Sequence, residues 1–372
     1  MKKFNVLIPD GDDRRTIKVV QSLGSSGKTN SFVITKNNNI VKYSRFCKPF
    51  FVSQNGGYAD INACMEKALR KHSIDVILTV GEKGANYIYH NNWLKKYNLA
   101  PVSDINTLNR VSNKWTLSKI CESLGLNYPK SIHFSRKEDI GKISEIHGYP
   151  VLIKPVTGAG GEGIVLVKTE EMLHDYIGNR LTYNGKEEYL VQEYISGPDI
   201  DISVLCQQGK ILAFTIQEPI DKSEKVFKFS KAIRFLVDKN ILEYCQKLVS
   251  NVCWNGVAHL DFKREKNGDE IYLIDFNGRF WGTLLGSTCA GVNFPFLACP
   301  SGLGINFSIL KYKNINYFEM ENAREIVSFM LRKNQRKNVA VRNSRVYFAL
   351  IDPQPFIMKK PQLLGRVFKS WY

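Results

Sequence analysis

The segment Val151-Leu152-Ile153-Lys154-Pro155-Val156-Thr157-Gly158-Ala159-Gly160-Gly161-Glu162-Gly163-Ile164-Val165-Leu166-Val167 is an apolar run, a glycine cluster and a second apolar run. Gly158, Gly160, Gly161 and Gly163 fall within six positions, so few Cβ atoms stand in the way of backbone N–H groups turning toward an anion. Phosphate oxygens suit such a loop, and Lys154 at the end of the first run adds a point charge beside them. The plainer alternative is a flexible hairpin turn. These glycines also satisfy the Gly-x-Gly-x-x-Gly spacing of dinucleotide-binding turns, but that motif needs a helix to follow, and Ile164 to Val167 reads as a strand. The segment ending in Gly27-Lys28-Thr29 would be a P-loop only if residue 22 were glycine, and it is Ser22.

Two kinds of layer must position this loop. Residues 1 to 105 alternate strand-like runs (Asn5 to Pro9, Ser31 to Thr35, Ile74 to Val80) with helical patterns near Arg14 to Leu23 and Tyr58 to His72, which predicts a small parallel α/β unit. A second unit opens near Asn106, where Ser112 can cap a helix from Asn113 to Leu124 and Gly125 can stop it. Longer strands follow: Val151 to Val156, Ile164 to Val167, Tyr189 to Ile195, Asp201 to Gln207, Ile211 to Gln217, Gly256 to Phe262 and Glu270 to Phe276. The turns Gln208-Gly209 and Asn267-Gly268 favour antiparallel hairpins among them, and helices near Glu170 to Ile177 and Asp238 to Val252 separate them. The class is α+β, divided as 1–105, 106–188, 189–305 and 306–372.

Apolar residues, 44% of the chain, are dispersed, and none forms a run of about eighteen that could cross a bilayer. Pro9, Asp10, Asp12 and Asp13 end the first apolar stretch too early for a signal peptide, so a cytoplasmic globular protein is expected. The eight cysteines include no Cys-x-x-Cys pair and read as buried free thiols in a reducing compartment. A net charge of +17 implies an anionic partner: nucleotide, nucleic acid, acidic glycan or lipid surface. No nucleic-acid-binding motif is present, which disfavours that partner. Beyond Arg324 the basic residues face only Glu325 and Asp352, and Phe356 to Tyr372 mixes cations with aromatic side chains. That tail could lie on the headgroups of an anionic membrane, placing the protein at the inner face, or pack back on the core.

Further along, Tyr189-Leu190-Val191-Gln192-Glu193-Tyr194-Ile195-Ser196-Gly197-Pro198-Asp199 precedes His259-Leu260-Asp261-Phe262 and Leu273-Ile274-Asp275-Phe276-Asn277-Gly278-Arg279. Together with Asn113-Lys114-Trp115 and the Lys154 strand, in this order, these segments resemble the ATP-grasp superfamily over roughly residues 1 to 300. Asn277-Gly278-Arg279-Phe280-Trp281-Gly282 and Ala290-Gly291-Val292-Asn293-Phe294-Pro295 are most similar to its carbamoyl-phosphate-synthase-like ligases of surface-polysaccharide or natural-product pathways.

The resemblance implies an ATP-grasp fold of two α+β subdomains clasping ATP, behind an α/β domain. It implies that Lys114 and Lys154 hold the nucleotide phosphates, Lys114 from a helix N-terminus where the backbone dipole favours an anion. Gln192, Glu193, Tyr194 and Ile195 would meet the adenine, with Asp199 on the ribose, although Asp199 also reads as a turn residue after Gly197-Pro198. Asp261, Asp275 and Asn277 would hold Mg2+ or Mn2+ on one face of a hairpin. The family usually has glutamate where Asp275 stands, and the shorter side chain implies contact through a water. Arg279, continuing the alternation beyond Asn277, would steady an acylphosphate through its two-pronged guanidinium, with an ion pair as the plainer reading. His259 shares a face with Asp261 and is read as a satisfied sheet residue.

The implied chemistry is ADP-forming carboxylate–amine ligation, in which a substrate carboxylate takes the γ-phosphate of ATP and an amine displaces it, with no protein nucleophile required. Carbamoyl-phosphate-type chemistry on bicarbonate is the alternative within the family, and a nucleotide-gated binding protein the alternative outside it.

Overall fold

The computed structural model describes residues 3–53, 57–135, 148–158, 160–180, 188–220, 230–266, 268–308, 311–320 and 340–359, with the side chains of 179 and 180 left aside. Near the N-terminus, strands β1 (Phe4–Ile8), β2 (Thr29–Lys36), β3 (Cys47–Val52) and β4 (Val76–Ile77) form a parallel sheet in the order β3-β2-β1-β4. Alternation along β1 explains why both faces are covered. Val6 and Ile8 join a core with Ile17, Val20 and Leu23 of helix α1 (Thr16–Ser25), while Leu7 meets Met65 and Ala68 of α2 (Tyr58–Lys71) and Ile88 of α3 (Glu82–His90). The strand order reverses at β1, which opens a crevice between the C-terminal ends of β1 and β4.

Helices α4 (Ile105–Ser112) and α5 (Lys114–Ser123) lead into a second sheet, built from β5 (Ser131–Phe134), β6 (Val151–Pro155), β7 (Val165–Val167) and, beyond helix α6 (Glu170–Asp175), β8 (Tyr189–Glu193). Its order is β5-β8-β6-β7, with neighbouring strands antiparallel. The expected boundary at residue 188 therefore falls within one sheet. The cap of α5 also differs from expectation: Asn113, not Ser112, accepts the Thr116 N–H, because Ser112 is still the last residue of α4.

The third sheet runs β13-β12-β9-β10-β11-β14, from β9 (Asp199–Gln207), β10 (Lys210–Pro219), β11 (Ala232–Leu236), β12 (Gly256–Arg264), β13 (Ile271–Asn277) and β14 (Asn316–Phe318). Gln208 and Gly209, at φ of 50° and 74°, close the β9–β10 hairpin in the left-handed conformation that its two-residue turn requires. One face of this sheet is apolar: Ile202, Val204, Leu260, Phe262 and Leu273 pack with α4, α5 and helix α7 (Lys239–Asn251), which Asp238 caps. On the other face Leu205 joins Phe280, Trp281 and helices α8 (Leu284–Ala290) and α9 (Phe294–Gly302), but further along the strands this face turns polar.

Two short helices, α10 (Arg345–Ile351) and α11 (Gln354–Lys359), return to the N-terminal unit. Between them buried Asp352 accepts from the Gln21 side chain, the Ser44 hydroxyl and the Arg45 backbone N–H. The described part of the basic tail is thus packed back on the core; residues 321–339 and 360–372, which hold Arg324, Arg332, Lys333, Arg336, Lys337, Lys360, Arg366 and Lys369, lie outside the described residues. All eight cysteines are free. No helix among the described residues is long and apolar enough to cross a membrane.

Candidate functional site

The first helical turn of α5 places Lys114 directly after its Asn113 cap, and the Lys114 N–H itself donates to Val156 O at 2.9 Å, docking the helix start against the end of β6. Lys114 is 6% exposed; its Nζ donates to Gly158 O at 2.9 Å and lies 3.7 Å from Asp275 Oδ1. One ammonium thus joins the glycine turn to the β12–β13 hairpin. Lys154 is 1% exposed on β6, with no hydrogen bond or ion pair of its side chain among the described residues. Burial, and then the neighbouring Lys114 charge, push its ammonium down to about 7, with Asp275 opposing them. Gly158, Gly160, Gly161 and Gly163 all have φ between 75° and 124°, so this turn is open only to residues without a Cβ strain.

Facing the lysines is the polar half of the large sheet, where register makes a grid. Asp201, Asp261 and Asp275 are directly paired across β9, β12 and β13; in the next row Ser203, His259 and Asn277 are paired in the same way. Paired neighbours share a face, so three carboxylates stand side by side. Asn277 Nδ2 donates to Asp261 Oδ2 at 3.2 Å, while His259 Nε2 is 3.2 Å from Asp261 Oδ1 and 3.8 Å from Asp201 Oδ2. Burial raises Asp261 well above the ordinary carboxylate range, with Asp201 and Asp275 adding repulsion. Burial, then Asp199, raise Asp201 to about 7, although Gln217 Nε2 donates to it at 3.3 Å. His259, stacked on Trp281, is pushed down to about 3 by burial and then Arg279, so it is a neutral imidazole.

Arg279 does reach the site, but by a different route from the expected alternation. Strand β13 ends at Asn277, and the chain turns tightly, with Arg279 N donating to Asn277 O at 2.8 Å; from there Nη2 donates back to Asn277 Oδ1 at 2.7 Å. Its Nε lies 3.7 Å from Glu82 of the N-terminal unit. Asp13 and Arg15, paired with each other, complete this edge, and Asp10 lies behind them, accepting from the Val80 and Gly81 N–H groups. Burial lifts Asp10 to about 7 despite those bonds. A cleft lined by Val80, Gly81, Val102, Trp254, Gly278 and Arg279 runs between the units at this point. Asp10, Asp13, Arg15, Glu82, Asp201 and Gln217 were not singled out from the sequence. The charged run Asp10 to Arg15 directly after a parallel strand was the available signal for the first three, since open α/β sheets bind ligands at the carboxyl ends of their strands.

The hinge candidates divide. Gln192 is buried and donates through Nε2 to Ser131 Oγ at 2.8 Å, and the Glu193 N–H donates to Lys130 O, so both serve the sheet. Tyr194 and Ile195 follow the end of β8, and among the described residues their N–H groups make no hydrogen bond. Asp199 opens β9 rather than sitting in a turn, and Lys263 Nζ lies 2.7 Å from its Oδ1.

Residues 111–283 match the ATP-grasp domain family. The carbamoyl phosphate synthase large chain of Clostridium beijerinckii is 26% identical over 255 residues, covering 66% of this chain and 23% of the relative. The chain thus spans about a quarter of the length of the curated relatives it matches. Among solved structures, N5-carboxyaminoimidazole synthetase from Staphylococcus aureus complexed with ADP superposes with a TM-score of 0.67 at 17% identity, covering 90% of this chain and 87% of that one. L-amino acid ligase from Bacillus licheniformis gives 0.59 at 18% identity, covering 82% and 75%. The glycine turn, the two lysines and the carboxylate hairpin all lie within the matched span, and the chain therefore carries an ATP-grasp domain in an ATP-grasp fold.

Proposed function

We propose that this protein is an ATP- and magnesium-dependent ligase that activates a carboxylate as an acylphosphate for attack by an amine, releasing ADP. The observation that carries the reading is Lys114, whose ammonium touches both the glycine turn and Asp275, so that anion-binding and cation-binding halves meet at one point. Lys114, Lys154 and the turn at Gly158, Gly160, Gly161 and Gly163 would hold phosphates; Lys154, buried and without a hydrogen-bond or ion-pair partner among the described residues, has most to gain from an anion. Gln192, Glu193, Tyr194 and Ile195 would line the adenine, with Asp199 released from Lys263 to take the ribose. Asp261, Asp275 and Asn277 offer only oxygen ligands, the donor set magnesium prefers, and two crowded carboxylates fit its charge. The metal would neutralise charge on the transferred phosphoryl group. Arg279 would orient the activated carboxylate, with Glu82, Asp13 and Arg15 at the mouth through which the amine arrives. The units 106–188 and 189–305 would clasp the nucleotide about strand β8, behind a domain at 1–105, with the described part of 306–372 bracing it.

ADP release, measured over pairs of carboxylates and amines, tests this reading. Release of AMP and pyrophosphate, or no stabilisation by Mg-ATP in a melting curve, overturns it. A second reading is supported by the relatives named above, carbamoyl phosphate synthase and carboxyaminoimidazole synthetase: bicarbonate would be the carboxylate. ADP release that depends on bicarbonate with no organic acid present would select it.

A further inference from the structure

Packing against the core uses only part of the surface of α10 and α11. On α10 Phe348 is buried in a cluster with Phe235, Leu285 and Tyr317, and Arg345 pairs with Glu319, while Tyr347 and Leu350, three residues apart on one helix face, are exposed. Leu350 is 68% exposed. On α11 Pro355 is buried, and Ile357 and Met358 are exposed beside Lys359. Of the twelve large apolar side chains exposed among the described residues, these four and Val341 all fall within residues 341–358. A single exposed leucine needs no explanation, whereas such a concentration marks a contact surface.

Charge beside this cluster has one sign. Helix α11 lies against the turn Ile40–Tyr43, and Arg45, just beyond that turn, donates through Nη1 to Ile351 O at 3.3 Å, which holds its exposed side chain at the C-terminal end of α10. Residues 14–59 hold eight lysines and arginines and no aspartate or glutamate. Within 340–359 the one carboxylate side chain is Asp352, fully buried and occupied by Gln21, Ser44 and Arg45. Neither segment therefore presents an acid to solvent beside the exposed apolar groups.

We propose that the exposed side of α10 and α11, together with Arg45, docks on an anionic lipid surface. Leu350, Ile357 and Met358 enter among the headgroups, and the cations meet lipid phosphates. Lying in the interface in this way needs no helix long enough to span a bilayer. Two other occupants match the surface only in part. A soluble polyanion would meet the cations but leave the apolar side chains in water, and a second copy of the chain, in a two-fold contact, would set like charges against each other. The surface involves none of Lys114, Lys154 or the carboxylate row, so it stands apart from the ligase reading.

Sedimentation of the full chain with lipid vesicles tests this. At low salt the protein should pellet with vesicles of equal parts phosphatidylcholine and phosphatidylglycerol, be released by high salt, and stay in the supernatant with phosphatidylcholine alone. Leu350→Lys and Met358→Lys distinguish lipid from polyanion binding, because each adds a cation while removing an apolar contact. Combined, they should weaken vesicle binding roughly ten-fold or more. Binding unchanged or strengthened by this pair, equal binding to neutral vesicles, or wild-type protein left in the supernatant at low salt would each overturn the proposal. Should the pair fail to fold, Leu350→Trp decides: mixed vesicles with brominated acyl chains should quench its fluorescence more than that of wild type, and equal quenching sinks the surface. The Mg-ATP melting shift, measured in parallel, reports on the ligase reading alone.

Discussion

At the scale of single residues, Lys154 shows how burial would prepare a group for the phosphate proposed to meet it. A lysine whose ammonium sits near 7 is mostly neutral at pH 8, and a phosphate placed beside it raises that value and draws in a proton. Binding of Mg-ATP at pH 8 is therefore expected to take up protons, seen as binding enthalpies that vary with the ionisation enthalpy of the buffer. Lys154→Ala should lose both this uptake and most of the ATP-induced rise in melting temperature; uptake unchanged in the variant would place the proton elsewhere. Without nucleotide the sign is opposite in sense. Below about pH 7 the folded protein carries the full cost of a buried charge, and that cost is relieved as pH rises from there toward the ordinary lysine value of 10.5. Lys154 was legible because a glycine cluster follows it. Asp201 was not, because a lone carboxylate in the strand Asp199–Gln207 looks like a solvent-facing residue until register puts it beside Asp261.

At the scale of elements, position comes from caps and register. Asn113 satisfies the Thr116 N–H and starts α5 at the residue whose side chain enters the site. Asn113→Ala should cost about 1 kcal/mol in chemical denaturation and weaken ATP binding as well, while Asn113→Asp or Asn113→Ser keeps the fold's share. Equal ATP affinity in the alanine variant would mean that Lys114 does not depend on its cap. The hairpin of β12 and β13 makes a different demand. Asp275→Asn and Asn277→Ala alter the side of the sheet proposed to face the cation and leave Tyr194 and Ile195 untouched, so ADP formation should fall with nucleotide binding retained; wild-type turnover in both would move the proposed metal off this hairpin. Periodicity located these strands to within a few residues, since Leu260, Phe262 and Leu273 alternate with polar neighbours. Strands β5, β11 and β14 gave no comparable signal: they are three to five residues long, too short for a period to show.

Over the whole molecule, the question is what holds the N-terminal sheet against the units that carry the nucleotide site, because Arg279 and Glu82 come from opposite sides of that junction. From the sequence the C-terminal region could lie on an anionic membrane or pack back on the core, since its cations outnumber its acids so heavily. Its described part packs back and acts as a brace, through pairings of high sequence separation that no local pattern reveals. Asp352 ties α10 and α11 to Gln21, Ser44 and Arg45, and Glu319, beside β14, accepts from Lys18 of α1 and Arg345 of α10, each at 2.6 Å. Burial alone would raise the Glu319 carboxyl, but Lys18 and Arg345 together hold it below its ordinary value. Stability from this triad is therefore complete above the ordinary glutamate range and is lost as pH falls through the lower folded value. Glu319→Gln leaves two buried cations facing a neutral amide and should cost about 3 kcal/mol at neutral pH. The variant should also unfold with a shallower dependence on acid than wild type, since one titrating carboxylate has been removed. Acid titrations of tryptophan fluorescence, run beside urea denaturation at neutral pH, measure both effects. A variant as stable as wild type at neutral pH would show that the brace holds through Asp352 and apolar packing, with the Lys18–Glu319–Arg345 triad adding nothing to it.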